Sequence, residues 1–308
     1  MLENKWLAPV RWDSTAAMIG GIRTQTVRAI HEKKVSKRNH LMSSPHRLDP
    51  GKSISIEDLS TSGRDFCTDR KAAKEERMSL QEEMYDLQQR LYAAQDQRLL
   101  VVLQAMDAGG KDGTIRRVFE HADPRGVRVS SFKAPSKKEL DRDYLWRIHQ
   151  EVPAAGMIGI FNRSHYEDVL AVRVHELVPE EIWRARYEQI NQFEALLTQT
   201  GTTVVKFFLH ISRDEQKERF QKRLDRPEKN WKFSVDDLAK REYWDDYMKA
   251  FEEMLNRCTT MAAPWYAIPA DQKWYRNLAI TRVLVDTLKQ MDPQYPPPEP
   301  GLDKIQIK

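Results

Sequence analysis

Leu99-Leu-Val-Val-Leu-Gln-Ala-Met-Asp107-Ala-Gly-Gly-Lys-Asp-Gly-Thr114 is a near-continuous apolar run that breaks into a glycine-rich turn with one lysine, then opens a helical pattern. A strand, a tight turn and a helix start in that order make a cradle for phosphate. Backbone N–H groups at Gly109, Gly110 and Lys111 can point at one anion, the helix adds its positive N-terminal end, and the Lys111 ammonium reaches the outer oxygens. Glycine suits the turn because a side chain would block the anion or forbid the backbone. The pattern G-x-x-x-x-G-K-[ST] is incomplete: Ala105 stands at its first glycine and Asp112 at the Ser/Thr position.

Outward from this stretch, strand-like runs at 99–106, 127–132, 157–161, 202–211 and, more weakly marked, 265–269 predict strands. Between and around them, helical periodicity predicts helices from Ser79, where Ser79-x-x-Glu82 forms a capping box, and over 114–121, 136–150, 179–200, 213–225, 234–258 and 273–291. Apolar strands alternating with amphipathic helices predict a parallel sheet covered on both faces, with ligands beyond the carboxyl ends of the strands.

The 308 residues suffice for a sizeable core. Two cysteines, Cys67 and Cys258, give no metal spacing or disulfide framework and suit a reducing, cytoplasmic setting. No apolar stretch is long enough to span a bilayer. Net charge is +4, yet 31% of residues are charged, and the clustering of the basic ones fits an acidic partner. Residues 1–45 are basic and poor in periodic apolar positions, which predicts a disordered arm. The same composition also fits an organellar leader. Residues 46–292 are expected to form one domain, and 293–308 an extended Pro-rich tail.

The second polar cluster, Asn162-Arg163-Ser164-His165-Tyr166-Glu167-Asp168, follows the predicted strand at 157–161. A carboxylate at such a strand end holds Mg²⁺ or its waters, and an arginine there neutralises a transferring phosphoryl group. Capping of a local helix is the plainer explanation of the same residues. Asp107, inside the loop, lies within reach of a bound metal and phosphate. His121 and His165 are read as structural, since a phosphate nucleophile is already an anion and needs no base. A third element, 213–241, places Arg219, Arg223 and Arg226 on one helix face, with Lys229, Trp231 and Lys232 beyond the Pro227 break. That arrangement suits a mobile lid closing over phosphates, although a solvated face is the usual origin of such charge.

Together these elements resemble the polyphosphate kinase family 2, whose members move phosphoryl groups between inorganic polyphosphate and nucleotides. The resemblance is carried by Met106-Asp-Ala-Gly-Gly-Lys-Asp-Gly-Thr-Ile115, Ser131-Phe-Lys-Ala-Pro-Ser136, Phe161-Asn-Arg-Ser-His-Tyr-Glu-Asp-Val169, Lys206-Phe-Phe-Leu-His-Ile-Ser212, Pro227-Glu-Lys-Asn-Trp-Lys-Phe-Ser234 and Ala263-Pro-Trp-Tyr-Ala-Ile-Pro-Ala-Asp271. It implies a three-layer α/β fold of the P-loop kinase type, a parallel sheet covered by helices, with a helical lid at about 213–241. It further implies Asp107, Lys111 and Arg163 as catalytic residues. Phosphate would be held by Gly109, Gly110, Lys111, Asp112, Gly113, Thr114, Arg117 and Lys133. The nucleotide and lid set is Glu167, Arg219, Arg223, Lys229 and Lys232, and the metal set Asp107, Asn162 and Glu167, for Mg²⁺ with Mn²⁺ as a substitute.

The family commonly has alanine where Gly109 stands, a change expected to loosen the loop while keeping its donors. Asn162 and Glu167 resemble the class III branch, which phosphorylates both AMP and ADP. The expected partners are therefore polyphosphate, AMP, ADP and ATP, in a homo-oligomer, with neither nucleic acid nor membrane. An ATP-dependent nucleoside or nucleotide kinase would share the loop, metal and lid; a nucleic-acid-binding ATPase would share the basic groove.

Overall fold

The computed structural model describes residues 44–234, 241–302 and 305–307. The arm expected at 1–45 lies outside them but for its last two residues. The described residues belong to one compact unit. Its centre is a sheet of five parallel strands, β1 Arg98–Ala105, β2 Val127–Ser131, β3 Ile158–Asn162, β4 Thr202–His210 and β5 Trp265–Pro269, in the order β2-β3-β1-β4-β5. The strands fall within about one residue of the runs read from the sequence; β1, β3, β4 and β5 are largely apolar because both of their faces are covered, whereas the edge strand β2 is mostly exposed. Leu99 to Leu103 are all buried. After β3 the chain crosses β1 to form β4, so the ends of β1 and β3 flank the point where strand order reverses, the usual ligand crevice of such sheets.

The longer helices are α1 Arg70–Ala94, α2 Lys111–Val118, α3 Glu180–Gln199, α4 Arg213–Leu224, α5 Trp244–Cys258 and α6 Lys273–Met291. Helices α1, α2 and α6 pack together on one side of the sheet, α3 and α5 on the other. Alternation along β4 turns Lys206 and Phe208 toward α3 and α5, where Lys206 meets Glu194 and Phe208 meets Phe251.

Four predicted helices differ; the one expected over 114–121 runs three residues earlier, Lys111–Val118. Helix α1 begins nine residues before Ser79, because the Asp69 carboxylate accepts from the amides of Lys71 and Ala72 and caps it there; Ser79 and Glu82 lie in mid-helix. The capping box of Ser136 and Glu139 is formed, yet the helix it starts stops at Leu140 and resumes only over Trp146–His149. Asp143 interrupts it, its carboxylate taking the Leu145 amide and its carbonyl the Trp146 amide. The helix expected over 234–258 includes residues outside the description and is broken by a turn at Tyr243, after which α5 begins. Residues 46–48 run antiparallel to the edge strand β5, with Leu48 N donating to Trp265 O and Ala267 N to His46 O, and so cover an exposed sheet edge.

Candidate functional site

Strand β1 delivers the chain into a tightly pinned loop. Gly109 N donates to Met106 O at 2.9 Å, so this amide closes the turn and is not turned toward a ligand as expected. Ala108 and Gly110 take left-handed φ of 61° and 101°. Gly110 then caps α2, whose first-turn amides at Lys111, Asp112 and Gly113 a helix leaves without intrahelical acceptors. A Cβ on Gly109 would lie 2.5 Å from Ala105 Cβ and 2.7 Å from Met106 O, so glycine makes this loop tighter and not looser. Thr114 is buried and its hydroxyl donates to Gly110 O. The Lys111 side chain folds back to donate to Ala105 O at 2.9 Å. Burial and the nearby Arg163 push its ammonium down to about 8, against the opposing pull of Asp107, Glu167 and Asp112.

The carbonyl side of the loop is held by α4. Arg219 is 6% exposed; its Nη1 donates to Ala108 O and Gly109 O, its Nη2 to Ala270 O and Asp271 O, and its Nε to Glu215. Gln216 adds a bond to Asp107 O. Helical spacing alone placed Arg219 with Arg223 on one basic face; the structure turns Arg219 inward and leaves Arg223 partly exposed, donating to Lys232 O. Lys229 lies close by, partly buried, and the exposed Lys232 sits over the Trp231 ring.

The cluster after β3 faces this loop. Asn162 ends the strand in register with Leu103, and Arg163 N donates back to Leu103 O, which holds Arg163 at a left-handed φ of 62°. Ser164 caps a 3-10 turn over His165–Asp168, so the capping expected of these residues is present alongside the site geometry. Arg163 Nη2 lies 2.7 Å from Asp107 Oδ1, and Nη1 3.8 Å from Glu167 Oε2. Glu167 Oε1 also accepts from Gln104 at 3.2 Å, and Asn162 donates to Asp112 at 2.7 Å.

Behind the turn His165 and Tyr166 are fully buried. Both donate or bond to Glu194 Oε1, at 3.2 and 2.8 Å, while Lys206 Nζ reaches Glu194 Oε2, Tyr166 Oη and Cys258 O. Burial lowers the His165 imidazole; burial raises the Glu194 carboxyl, yet Lys206 and His165 hold it below its ordinary range.

Asp107, Arg163 and Glu167 line a cavity of about 380 Å³. Its walls combine apolar groups, Phe132, Leu170, Val178 and Phe251 among them, with the cations Lys133, Arg147, Arg186 and Arg241. Asp168 also lines it, pushed up to about 6 by burial against the pull of Arg186 and Arg147. Two groups of expected residues stand apart. Arg117 faces away down α2, paired with Glu120 at 2.7 Å. Arg223, Lys229 and Lys232 do not line the cavity among the described residues.

Among the described residues no three His, Cys, Asp or Glu side chains gather as a self-contained metal site. Asp107 and Glu167 nonetheless supply hard carboxylate oxygens beside the loop, with the Asn162 amide at the strand end, and Mg²⁺ is commonly held by one or two carboxylates plus phosphate oxygens and water. The donor set fits such an ion. Sequence reading missed Gln216 and Arg276. Arg276 lies in α6, 2% exposed, with Nη1 against Gly110; its signal was an arginine at helical spacing from Ala279, Ile280 and Val283, on the buried face of the helix.

Comparison with known proteins identifies the family. Residues 67–296 match the family model described as Polyphosphate kinase 2 (PPK2). The chain is 56% identical over 216 residues to an AMP/ADP-polyphosphate phosphotransferase of Meiothermus ruber, covering 70% of this chain and 81% of that protein. It is 46% identical over 224 residues to an ADP-polyphosphate phosphotransferase of Rhodopseudomonas palustris, covering 69% and 78%. The crystal structure of polyphosphate kinase 2 from Arthrobacter aurescens TC1 superposes with a TM-score of 0.79 at 41% identity, over 82% of this chain and 91% of that one. With the loop after β1 and the cluster after β3 both inside the matched region, the chain belongs to the polyphosphate kinase 2 family.

Proposed function

We propose that this protein transfers phosphoryl groups between inorganic polyphosphate and nucleotides, converting AMP to ADP and ADP to ATP, reversibly. The observation that carries the reading is the Arg163–Asp107 ion pair, which joins the phosphate loop to the strand-end cluster in the wall of a largely apolar cavity. A nucleotide fits that cavity, its base against the apolar wall and its phosphate toward Arg163. The names of the relatives support the substrates.

In this reading the first-turn amides of α2 and the Lys111 ammonium hold the donor's terminal phosphates. An oxygen of the nucleotide's terminal phosphate attacks the donor's end phosphorus in line; one P–O anhydride bond forms, another breaks, and the shortened polyphosphate leaves with the bonding pair. Arg163 exchanges Asp107 for the transferring phosphoryl and neutralises its oxygens. Lys111 does the same from the loop side. Asp107, Glu167 and Asn162 would hold a divalent ion, Mg²⁺ or Mn²⁺, which supplies further charge neutralisation at the phosphate oxygens. Arg223, Lys229 and Lys232, on the segment 213–241, would reach the phosphates by closing as a lid.

The same reading assigns residues 46–292 to the phosphotransferase domain and 293–308 to a tail, in a cytoplasmic homo-oligomer. No helix among the described residues is long and apolar enough to cross a membrane. Purified protein incubated with polyphosphate, Mg²⁺ and AMP or ADP, without ATP, should form ADP and ATP. Turnover that requires ATP as donor would overturn the reading in favour of a nucleotide kinase.

A further inference from the structure

Arg276 stands in the first turn of α6 with its side chain enclosed by protein. Nε and Nη2 both donate to Asn277 Oδ1, at 3.2 and 2.9 Å. Nη1 is buried without a hydrogen-bond partner among the described residues. That end of the guanidinium abuts the phosphate loop: a Cβ on Gly110 would come 2.1 Å from Nη1, and one on Gly113 would lie 3.7 Å from Nη2. A second guanidinium meets the same point, since the Gly110 Cβ position is 3.3 Å from Arg219 Nη1.

This is a costly arrangement for a protein without ligand. A buried cation needs a counter-charge and a full set of acceptors; among the described residues Arg276 has no carboxylate bonded to it and one nitrogen without an acceptor. Its strongest charge neighbours are Arg219, which repels it, and Glu215, whose carboxylate is bound to Arg219 Nε at 2.7 Å. Lys273 adds another cation nearby. The N-terminal end of α2, which begins at the same glycine, is itself positive. What would balance all of these at once is an anion seated on the loop.

We propose that Arg276 is a positioning residue for the phosphoryl donor: lodged against Gly110, it shapes the start of α2 and keeps the positive charge there uncompensated until a polyanion occupies the loop amides. It acts through the loop and does not meet the reacting atoms. The assignment rests on the reading that polyphosphate is the donor seated there. It also explains why position 110 is glycine beyond its positive φ, since any side chain would displace the guanidinium.

The test is equilibrium binding of polyphosphate, with no nucleotide present, to the wild type, Arg276→Gln and Arg276→Lys, with thermal unfolding of each. Gln keeps an amide donor for Asn277 and removes the charge; Lys keeps the charge and loses the fork. Arg276→Gln should weaken polyphosphate binding roughly tenfold or more, leave AMP binding within about twofold, and unfold no earlier than wild type without ligand. Arg276→Lys should retain most of the affinity for polyphosphate. Wild-type affinity in Arg276→Gln, or equal losses in both variants, overturns the assignment, the latter by showing packing and not charge. Should Arg276→Gln not fold, Arg276→Lys decides: affinity within about threefold of wild type supports the role, and a roughly tenfold loss overturns it. A wild type that binds no polyphosphate overturns the donor reading itself, and this assignment with it.

Discussion

Arg163 Nη2 and Asp107 Oδ1, 2.7 Å apart, tie the loop after β1 to the turn after β3 across the reversal point of the sheet. The pair is partly exposed, so it adds little to stability. Its worth lies in placing a guanidinium where phosphate would arrive. Arg163→Lys keeps the charge but loses the planar fork that meets two phosphate oxygens at once. It should lower kcat about 10²-fold and shift the melting temperature by no more than about 2 °C. A steady-state assay beside a thermal melt checks both. A melting point lowered in step with activity would mean that the arginine serves the fold.

Lys111 gives a pH signature. Its folded pKa of about 8 lies below the ordinary 10.5, so between these values the unfolded chain holds a proton the folded one has released. Stability of the ligand-free protein should therefore rise with pH across that window, and Lys111→Met should remove the slope while raising the melting temperature at pH 7. Bound phosphate favours the charged form. Polyphosphate affinity should accordingly be level below pH 8 and fall above it, with proton uptake on binding near pH 8 to 9, measurable by calorimetry in buffers of different ionisation enthalpy. Affinity that stays flat from pH 7 to 9 would contradict this.

Much of the fold was legible because its signals are local. The runs at 99–106 and 202–211 are apolar since both faces of the central strands are covered, and the loop at 107–111 announces itself by glycine spacing. What escaped is partly a local side-chain bond that outcompetes a helix, and for the rest contacts distant in sequence. Asp143 breaks the helix expected over 136–150 with its own side chain, and Arg219 turns inward because the carbonyls of Ala108 and Gly109 lie beneath it. Arg276 could not be tied to the loop from its own neighbours in the chain. Of the two halves of the site, Asp107 was named from its place in the phosphate loop and Arg163 from strand-end logic, but their ion pair required the β1–β3 register.

Beneath the turn that carries Arg163 and Glu167, the Lys206–Glu194 pair is buried among His165, Tyr166 and Trp265. Removing one partner leaves an uncompensated charge in the core. Lys206→Met should cost roughly 3–5 kcal/mol. The double change Lys206→Met with Glu194→Met removes both charges and should recover about half of that loss or more. Denaturant unfolding of the single and double variants measures the coupling. Additive losses would show that the two side chains do not act as a pair.

Acceptor range turns on Glu167. Its Oε1 takes a hydrogen bond from Gln104, and its Oε2 lies 3.8 Å from Arg163 Nη1, so the carboxylate stands beside the guanidinium proposed to meet the transferring phosphoryl. AMP is one phosphate shorter than ADP. Seated in the same cavity it leaves a gap where the second phosphate would lie, and a hydrated divalent ion held by a carboxylate can fill that gap, whereas an amide holds such an ion less well. Wild type should convert AMP to ADP and then to ATP. Glu167→Asn shortens the side chain and removes the charge, and should depress the AMP step at least about tenfold more than the ADP step, a difference of about 1.4 kcal/mol in transition-state stabilisation. Time courses begun separately from AMP and from ADP resolve the two steps. Equal losses in both would place Glu167 in general support of Arg163, and a wild type inert toward AMP would restrict the enzyme to nucleoside diphosphates.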